Sequence, residues 1–335
     1  MPLVSFCVST FKRGETLKET LQTIQRQTFS DFEVIVSDND PQCSAKYFVE
    51  SLNDPRFFYS PNGQNLGMKA SFNKSLNLSS GDFIVMIADD DPVYSDMLET
   101  LIKLSNDYPG YGMYMGGCDW FAKDKEAAAI YNLRIGTNSC LSDQHDFNAI
   151  RIFSTVDFLK NYFTFKIFRH FLWSTCIVKR DLLIQQGGIP DYGSPFLGDY
   201  AYMSIASTEK GCVIINKSLG CQTIHRENFG RNQNEQLPLV AVNFPKYLEQ
   251  KLSYLEEWPA IKALIYRFTA VWLVEHFTFL YHYKGKDSVN VESLNKAKKE
   301  VFQLDFMKCM KFKFYLKNHF RPLHDFLVVV KKKFN

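Results

Sequence analysis

The residues with the clearest chemical potential are three consecutive aspartates, Asp89, Asp90 and Asp91, in the segment ADDDP. Three carboxylates in a row cannot all be ionised without a counter-charge, since like charges within about 4 to 6 Å raise one another's pKa. A hard cation such as Mg²⁺ or Mn²⁺ supplies that charge and commonly keeps a substrate diphosphate among its ligands. The alternative is an acidic turn before a proline. The triplet follows the apolar run DFIVMIA, and this position favours the metal site.

Two further polar clusters follow apolar runs in the same way. Ser9 ends the run LVSFCVS and is followed by Thr10 and Arg13, and Asp38 ends the run FEVIVSD and is followed by Asp40. Ligands of open α/β sheets bind beyond the carboxyl ends of the strands, where loop amides and helix N-termini converge. We therefore expect these clusters and the aspartate triplet to lie along one edge of a sheet.

The elements that would position these residues alternate along the first hundred positions. Apolar runs predict strands, and the segments between them repeat apolar residues at the spacing of a helix face. The predicted strands are LVSFCVS, FEVIVSD, RFFYS and DFIVMIA, and the predicted helices are TLKETLQTIQRQT, CSAKYFVESLN and MKASFNKSLNLSSG. This alternation predicts right-handed βαβ units and a largely parallel sheet with helices on both faces. The predicted fold class is therefore α/β.

The pattern is less regular beyond Leu104, where several glycines interrupt it. A strand is predicted at 173–178, a short helix after it that ends at Gly187, and a further helix at 199–209. From residue 237, periodic apolar segments predict helices up to the basic C-terminal end.

Composition excludes several classes of protein. With 335 residues, 46% hydrophobic and 22% charged, the chain is typical of a soluble globular protein of about two domains, not a fibre or a disordered protein. Its eight cysteines form no CxxC pair or zinc-ligand spacing, which favours reduced thiols. GxGxxG after the first strand and GxxxxGK[ST] are both absent, which argues against a dinucleotide oxidoreductase and a P-loop NTPase.

The sequence carries no pattern of a secreted or membrane-spanning protein. The segment MPLVSFCVST has no basic n-region before it, so no signal peptide is predicted and a cytoplasmic location is expected. The most hydrophobic long segment, 263–283, contains Arg267 and Glu275, which are costly at the centre of a bilayer. We therefore predict a buried helix there.

Charge is distributed unevenly along the chain. Residues from Lys284 onwards include 13 Lys or Arg against 5 Asp or Glu, whereas the preceding residues include 26 against 31. The end of the chain, KCMKFKFYLKNHFRPLHDFLVVVKKKFN, mixes Lys with apolar residues, as do segments that lie on the anionic inner face of a membrane. The alternative is a solvated helix that caps the fold. Nucleic acid is not an expected partner, because the rest of the chain is net acidic.

Several segments together resemble a known family, the nucleotide-sugar-dependent family 2 glycosyltransferases, which have the GT-A fold. The matching segments are VSTFKR, QTFSDFEVIVSDND, NLGMKASFNKSL, SGDFIVMIADDDPVYSDML and FLGDY, in the family's order and approximate spacing. They cover residues 3 to 102 densely and reach Asp199 more thinly. The resemblance implies a GT-A, Rossmann-like sheet flanked by helices, with a C-terminal helical extension.

The resemblance also implies a site for a nucleoside-diphosphate sugar donor. Thr10 and Arg13 would lie near the nucleotide and its phosphates. Asp38 would accept a hydrogen bond from the base, which is usually uracil in this family. Lys69 and Asn73 lie where members of the family often line the donor site.

The aspartate triplet resembles the family's DxD motif. Asp91 is implied as a direct ligand of Mn²⁺ or Mg²⁺, and Asp89 and Asp90 would contact the ribose or the metal and its water. His225 lies where some GT-A enzymes return a late histidine to the metal, and neutral imidazole is a competent ligand. The alternative for His225 is a surface histidine beside Arg226.

Two residues outside the donor segments are implied in the transfer itself. Asp199 resembles the catalytic base of inverting members, although an aspartate beside Gly198 is also a common helix N-cap. Trp173 could form a platform for the sugar ring of an acceptor, because aromatic faces suit sugar rings, but an isolated residue of this type is more often a core residue.

The sequence thus predicts three regions: residues 1–104 bind the donor, 105–236 bind the acceptor, and 237–335 form a helical region with a basic tail. The predicted function is an inverting, metal-dependent glycosyltransferase that acts on a glycan or a lipid-linked acceptor. One alternative is a catalytically inactive relative that senses nucleotide or acts as a scaffold. Another is a sugar nucleotidyltransferase, which would need a glycine-rich loop that STFKRGE does not supply.

Overall fold

A computed structural model describes residues 1–140, 146–167, 170–225, 233–282 and 290–322. The chain divides into two compact units. The α/β unit comprises Met1–Pro190 and Asp199–Arg226, and the helical unit comprises Asp191–Gly198 and Glu227–Asn335.

The α/β unit is built on one mixed sheet, which has nine strands among the described residues. The strands are β1 Val4–Thr10, β2 Phe32–Asp38, β3 Phe57–Pro61, β4 Phe83–Ala88, β5 Met113–Ala122, β6 Gly136–Asn138, β7 Ile150–Phe153, β8 Cys176–Lys179 and β9 Cys212–Ile224. Their order is β3-β2-β1-β4-β8-β5-β9-β7, with β6 paired to β5. Strands β1 to β4 are mutually parallel where they pair, as the alternation predicts.

Eight helices accompany the described strands of this unit. They are α1 Gly14–Gln25, α2 Lys46–Glu50, α3 Met68–Leu78, α4 Met97–Asp107, α5 Lys125–Tyr131, α6 Thr155–Tyr162, α7 Arg180–Gln185 and α8 Gly198–Ala206. Helix α1 buries Leu17, Leu21 and Ile24 in the main hydrophobic cluster, as their spacing predicts. Burial of such a stripe stabilises a helix far more than its intrinsic propensity does.

The register of the parallel strands places their ends side by side. Thr10, the last residue of β1, lies opposite Asp38, and Ser9 lies opposite Ala88, the last residue of β4. The loops after β1, β2 and β4 therefore leave the sheet at the same edge, which confirms the predicted placement of the three polar clusters.

Some predicted boundaries differ from the structure. The strand expected at 173–178 begins only at Cys176, because Trp173–Thr175 form a 3-10 turn that is closed by the Thr175 N–H and the Leu172 carbonyl. Helix α4 runs across residue 104, and β5 and β8 belong to the same sheet as β4, so region 1–104 shares the α/β unit with most of region 105–236, whose residues 191–198 and 227–236 belong to the helical unit. The division of donor and acceptor binding between them stays a prediction.

The helical unit contains four described helices: α9 Leu237–Leu252, α10 Trp258–His282, α11 Val291–Val301 and α12 Met310–His319. Its interior includes Phe244, Phe268 and Phe277, each at most 1% exposed. The hydrophobic segment from 263 lies in α10, as predicted, and no helix among the described residues is long and apolar enough to cross a membrane. The last part of the basic tail, 323–335, lies outside the described residues.

Candidate active site

The aspartate triplet lies directly after β4, where it meets residues from β1 and α1. Thr10 Oγ1 donates a hydrogen bond to Asp89 Oδ2 at 2.7 Å. Arg13 Nη1 lies 3.3 Å from Asp89 Oδ1 and 2.9 Å from Asp90 Oδ2, so one guanidinium bridges both carboxylates. The structure thus brings together four residues that the sequence predicts for the donor site. It adds Thr20, whose hydroxyl donates to the Asp89 carbonyl at 3.1 Å and which no sequence pattern singles out.

Residues at and just after the end of β9 also contact the triplet, although β9 and β1 lie on opposite sides of β4 in the sheet. His225 Nε2 lies 2.9 Å from Asp90 Oδ2, although the two residues are 135 positions apart. The Thr223 N–H donates to Asp91 Oδ1 at 3.4 Å. His225 is therefore part of the acidic cluster, as the resemblance implies, and its side chain is only 16% exposed.

Burial and mutual repulsion shape the electrostatics of the triplet. Burial, followed by the charge of Asp90, raises the pKa of Asp89 to about 6, although Arg13 and Thr10 oppose the rise. The same two causes raise the pKa of Asp91 well above its usual range. A further positive charge beside these carboxylates would favour their ionised forms, which is the condition under which carboxylates bind a cation.

The carboxylate and imidazole groups of the cluster are suitable ligands for a divalent cation. In the described arrangement, however, they are not placed around a common metal position. Carboxylate oxygens of Asp89 and Asp90 already lie within hydrogen-bond distance of Thr10, Arg13 and His225. Among the described residues, Asp91 accepts one hydrogen bond and forms no ion pair. No group of three His, Cys, Asp or Glu side chains in the described part of the chain could hold a metal ion. In this arrangement Arg13 supplies the counter-charge.

Asp38 is fully buried at the end of β2 and organises the loop that follows. Its Oδ1 accepts the Asp40 N–H at 2.8 Å, and its Oδ2 accepts the Ala45 N–H at 3.2 Å and the Tyr59 hydroxyl at 2.9 Å. Cys43 of this loop, together with residues of α2 and β3, lines an open surface cavity of about 810 Å³. The predicted contact between Asp38 and a base stays a prediction, and Tyr59 is a partner that the sequence did not indicate.

Lys69 and Asn73 lie one turn apart on α3, and the structure gives Asn73 a supporting contact. Asn73 Oδ1 accepts the Ile189 N–H at 2.7 Å, which fastens α3 to the segment after α7. Gly188 fits here because a Cβ at that position would lie 2.2 Å from Asn73 Oδ1. Contact of Lys69 and Asn73 with a donor stays a prediction.

Asp199 lies in the first turn of α8, half-buried. Burial raises the pKa of its carboxyl group, and the backbone N–H groups of Asp199 and Tyr200 oppose that rise. Tyr200 stacks on Tyr162 with ring centroids 5.0 Å apart, which steadies this end of the helix. A carboxyl with a raised pKa suits a general base, while its backbone partners fit the N-cap alternative, so the predicted catalytic role stays a prediction.

Trp173 packs in the interior of the α/β unit. It is 9% exposed, and its ring meets Phe72 and Tyr202 edge-on, with centroids 5.2 and 5.9 Å away. This packing favours the core alternative. A role of Trp173 as an acceptor platform stays a prediction, because only acceptor binding would test it.

Hydrogen bonds that the sequence did not indicate connect the loop after the triplet to β5 and β9. The Pro92 carbonyl accepts the Cys221 N–H at 2.8 Å, and the Tyr94 hydroxyl donates to Asp119 Oδ2 at 2.8 Å. Gly220 permits this approach, since a Cβ there would lie 2.9 Å from the Pro92 carbonyl oxygen. One signal was visible: Asp119 is a lone carboxylate in the otherwise uncharged run MYMGGCDWFA.

Parallel strands within the mixed sheet, with an acidic cluster at their carboxyl ends, place the protein in the α/β class, in which ligands commonly bind at that edge. Comparison with known sequences is more specific, because the sequence model of the family described as glycosyl transferase family 2 matches residues 5–175. The chain belongs to this family. The family resemblance found in the sequence is thereby confirmed.

The curated relatives match only part of the chain. A GalNAc(5)-diNAcBac-PP-undecaprenol beta-1,3-glucosyltransferase of Campylobacter jejuni is 37% identical over 122 residues, which are 35% of this chain and 38% of that protein. The abequosyltransferase RfbV of Salmonella typhimurium is 33% identical over 105 residues, 30% of this chain and 31% of that protein. The matches thus span less than two fifths of either relative.

Solved structures resemble a much larger part of the chain. S. aureus TarS 1-349 in complex with UDP superposes with a TM-score of 0.58 at 18% identity, over 90% of this chain and 80% of that one. The mannosyltransferase PcManGT from Pyrobaculum calidifontis, in complex with GDP-Man and Mn²⁺, gives a TM-score of 0.54 at 17% identity, over 95% and 87%. These likenesses confirm the predicted α/β GT-A fold with C-terminal helices.

Proposed function

We propose that the protein is an inverting, metal-dependent glycosyltransferase. It transfers a hexose or N-acetylhexosamine from a nucleoside-diphosphate sugar, UDP-linked, to a glycan or lipid-linked acceptor in the biosynthesis of a surface polysaccharide. The observation that carries this proposal is the convergence of Thr10, Arg13, Asp89, Asp90 and His225 at the carboxyl ends of parallel strands.

The relatives support the classes of donor and acceptor. Their names specify a diphosphoundecaprenol-linked acceptor in one case and an abequosyl transfer in another, and the similar structures hold UDP or GDP-Man. A lipid-linked acceptor would bring the reaction to the inner face of the cytoplasmic membrane.

The donor half of the mechanism follows from the charges of the cluster. Arg13, with 28% of its side chain exposed, can donate to a diphosphate while it remains beside Asp89 and Asp90. Asp91, Asp89 and His225 do not form a three-ligand group in the described arrangement, so they would hold Mn²⁺ or Mg²⁺ only together with oxygens of a bound diphosphate. The ion, when bound, would stabilise the negative charge that gathers on the leaving diphosphate. Asp38, Lys69 and Asn73 would complete the donor site.

The acceptor half needs one base. An acceptor hydroxyl oxygen forms a bond to the anomeric carbon as the bond from that carbon to the diphosphate oxygen breaks. The hydroxyl proton passes to the Asp199 carboxylate, and the nucleoside diphosphate leaves with the bonding electron pair. Attack from the face opposite the leaving group inverts the anomeric carbon, and the transition state resembles an oxocarbenium ion.

A thermal-shift panel tests the donor site. The unfolding temperature is measured with UDP, GDP, dTDP, CDP and CMP, each with and without Mn²⁺. A ligand at about 100 times its dissociation constant stabilises by about 2.7 kcal/mol, which raises the unfolding temperature by several degrees. We expect UDP with Mn²⁺ to raise it and Asp91→Asn to abolish the rise, whereas Asp107→Asn, a change of an exposed carboxylate, leaves it intact.

Turnover separates an enzyme from a nucleotide sensor. We expect slow, Mn²⁺-dependent release of UDP from a UDP-sugar, and its loss in Asp91→Asn. Tight binding of UDP without any turnover on lipid-linked acceptors would favour the inactive relative. A folded protein that no nucleotide stabilises would refute the donor site itself.

A further inference from the structure

Helix α12 of the helical unit packs on α10 along one side. Leu316 is buried at 7% exposure, and Asn318 Nδ2 donates to Thr278 Oγ1 at 3.1 Å. Lys317 pairs with Glu275 of α10, and the Phe314 ring meets Tyr281 edge-on at 6.4 Å. These contacts fix which side of α12 faces the interior of the unit.

The opposite side of α12 exposes large aromatic rings between basic residues. Phe312 is 68% exposed, Tyr315 is 52% exposed and Phe320, just beyond the helix, is 51% exposed. The exposed residues of this side are called here the aromatic–basic face: Lys308, Lys311, Phe312, Tyr315, Phe320 and Arg321. Residues three and four positions apart lie on one helix face, so Lys311, Phe312 and Tyr315 form a continuous strip on α12, and Lys308 lies in the turn just before the helix.

The charge of this segment has one sign. Residues 306–322 contain five Lys or Arg and no Asp or Glu, and two of these five are balanced from outside the range, Lys308 by Asp305 and Lys317 by Glu275. The exposed aromatic ring of Tyr47 in the α/β unit, at 74% exposure, has one lysine beside it, Lys46, and that lysine pairs with Glu50. Aromatic rings combined with excess positive charge are the composition of a helix that lies in the interface of an anionic bilayer.

We propose that the aromatic–basic face of α12 docks on the surface of an anionic lipid bilayer. Charge complementarity selects this occupant, since a second copy of the same face would bring like charges together, whereas anionic headgroups neutralise them. Phe312 and Tyr315 would enter the boundary between headgroups and acyl chains, where a ring with one polar end is favoured. The proposal deepens the proposed function, because it would hold the protein where a lipid-linked acceptor resides, but the two are tested separately.

Sedimentation with lipid vesicles tests the proposal on the full chain. Vesicles of phosphatidylcholine alone are compared with vesicles that also contain phosphatidylglycerol. We expect binding only to the anionic vesicles, weakened as NaCl increases, because screening shortens the reach of the charges. The double variant Phe312→Ser with Tyr315→Ser should lower the partition coefficient at least about tenfold. The control Tyr47→Ser removes an equally exposed ring from the other unit and should leave binding unchanged.

Two further measurements keep the result unambiguous. The UDP and Mn²⁺ thermal shift should be the same in the double variant and in wild type, which separates this proposal from the donor site. If the double variant does not fold, Lys311→Glu replaces it, and weaker binding to anionic vesicles is again expected. Binding to neutral and anionic vesicles alike, or equal binding by wild type and variants, would overturn the proposal. So would a dimer in sedimentation velocity that the same substitutions dissociate.

Discussion

At the scale of single residues, Asp199 is the side chain on which the stereochemical outcome depends. Because burial raises its pKa, the carboxylate loses its proton at a higher pH than an ordinary aspartate does. A general base acts only when deprotonated, so kcat/KM should rise with pH across that raised pKa. We expect Asp199→Asn to lower kcat by about 100- to 10,000-fold and to abolish this rise.

The control for Asp199 is Asp181→Asn, which changes a fully exposed carboxylate in the first turn of α7. Donor binding, measured by the thermal shift with UDP and Mn²⁺, should be unchanged in both variants. Near wild-type transfer by Asp199→Asn would show that the base is another group and that Asp199 serves as a helix cap.

The environment of His276 in α10 leads to a prediction about the pH dependence of stability. Its ring stacks on Trp272 at 4.8 Å and meets Phe196 at 5.1 Å, and its buried Nε2 has no hydrogen-bond partner among the described residues. Burial lowers the pKa of His276 to about 4, below the 6.5 of an unfolded histidine. The unfolded chain therefore binds the proton first, and stability present above pH 6.5 is lost as the pH falls towards 4.

Denaturant unfolding between pH 7.5 and pH 4 measures this effect. A shift of this size corresponds to about 3 kcal/mol at full protonation. His276→Phe keeps an aromatic ring in the stack and should lose less stability over that range than wild type. His319→Phe, at an exposed position of α12, serves as the control. An identical pH dependence in wild type and His276→Phe would contradict the prediction.

At the scale of elements, the close approach of β9 to the loop after the triplet depends on Gly220. A Cβ there would lie 2.9 Å from the Pro92 carbonyl oxygen and 3.2 Å from Val93 Cα, so the two segments would have to separate. We expect Gly220→Ala to destabilise the protein by about 1 to 3 kcal/mol, the usual cost of overpacking. It should also weaken the UDP and Mn²⁺ thermal shift, because β9 carries Thr223 and leads directly to His225 beside the triplet.

The matched control is Gly198→Ala in the first turn of α8, where an added Cβ meets nothing within 4 Å. Alanine favours a helix over glycine, so its free energy of unfolding should be unchanged or slightly higher. If Gly220→Ala unfolds at the same denaturant concentration as wild type, β9 and the loop can separate without loss of stability. The prediction that this contact tolerates no added Cβ would then be wrong.

The elements also show what the sequence could predict. The sequence predicts strand β2 with its bounds, because FEVIVSD is rich in β-branched residues and stands between turn residues. It does not predict strand β5, since Gly116 and Gly117 interrupt its pattern where its pairing with β9 shifts register. The sequence allows Thr10 and Arg13 to be placed near Asp89, because the loops that follow neighbouring parallel strands leave the sheet at the same edge. The pairs of Asp38 with Tyr59 and of Tyr94 with Asp119 depend on side-chain packing, which no periodicity encodes.

At the scale of the whole molecule, charge is segregated along the sequence. The residues before Lys284 carry an acidic excess and those after it a basic one. The acidic cluster lies in the α/β unit and the aromatic–basic face in the helical unit, so each can be altered without a substitution in the other. Asp91→Asn should therefore abolish donor binding without change in vesicle binding, and the Phe312→Ser, Tyr315→Ser variant should do the reverse.

Transfer to a membrane-bound acceptor should need both features. A diphosphoundecaprenol-linked saccharide is presented either in anionic vesicles or dissolved in detergent micelles. The Phe312→Ser, Tyr315→Ser variant should transfer at the wild-type rate in micelles, because its donor site and Asp199 are intact. In vesicles it should be slower at low protein concentration and recover as the concentration rises, since weaker docking lowers the fraction of bound enzyme and not its turnover. Asp91→Asn should be inactive in both settings. Equal loss in micelles and vesicles would mean that the aromatic–basic face supports the transfer reaction itself and not attachment to the lipid surface.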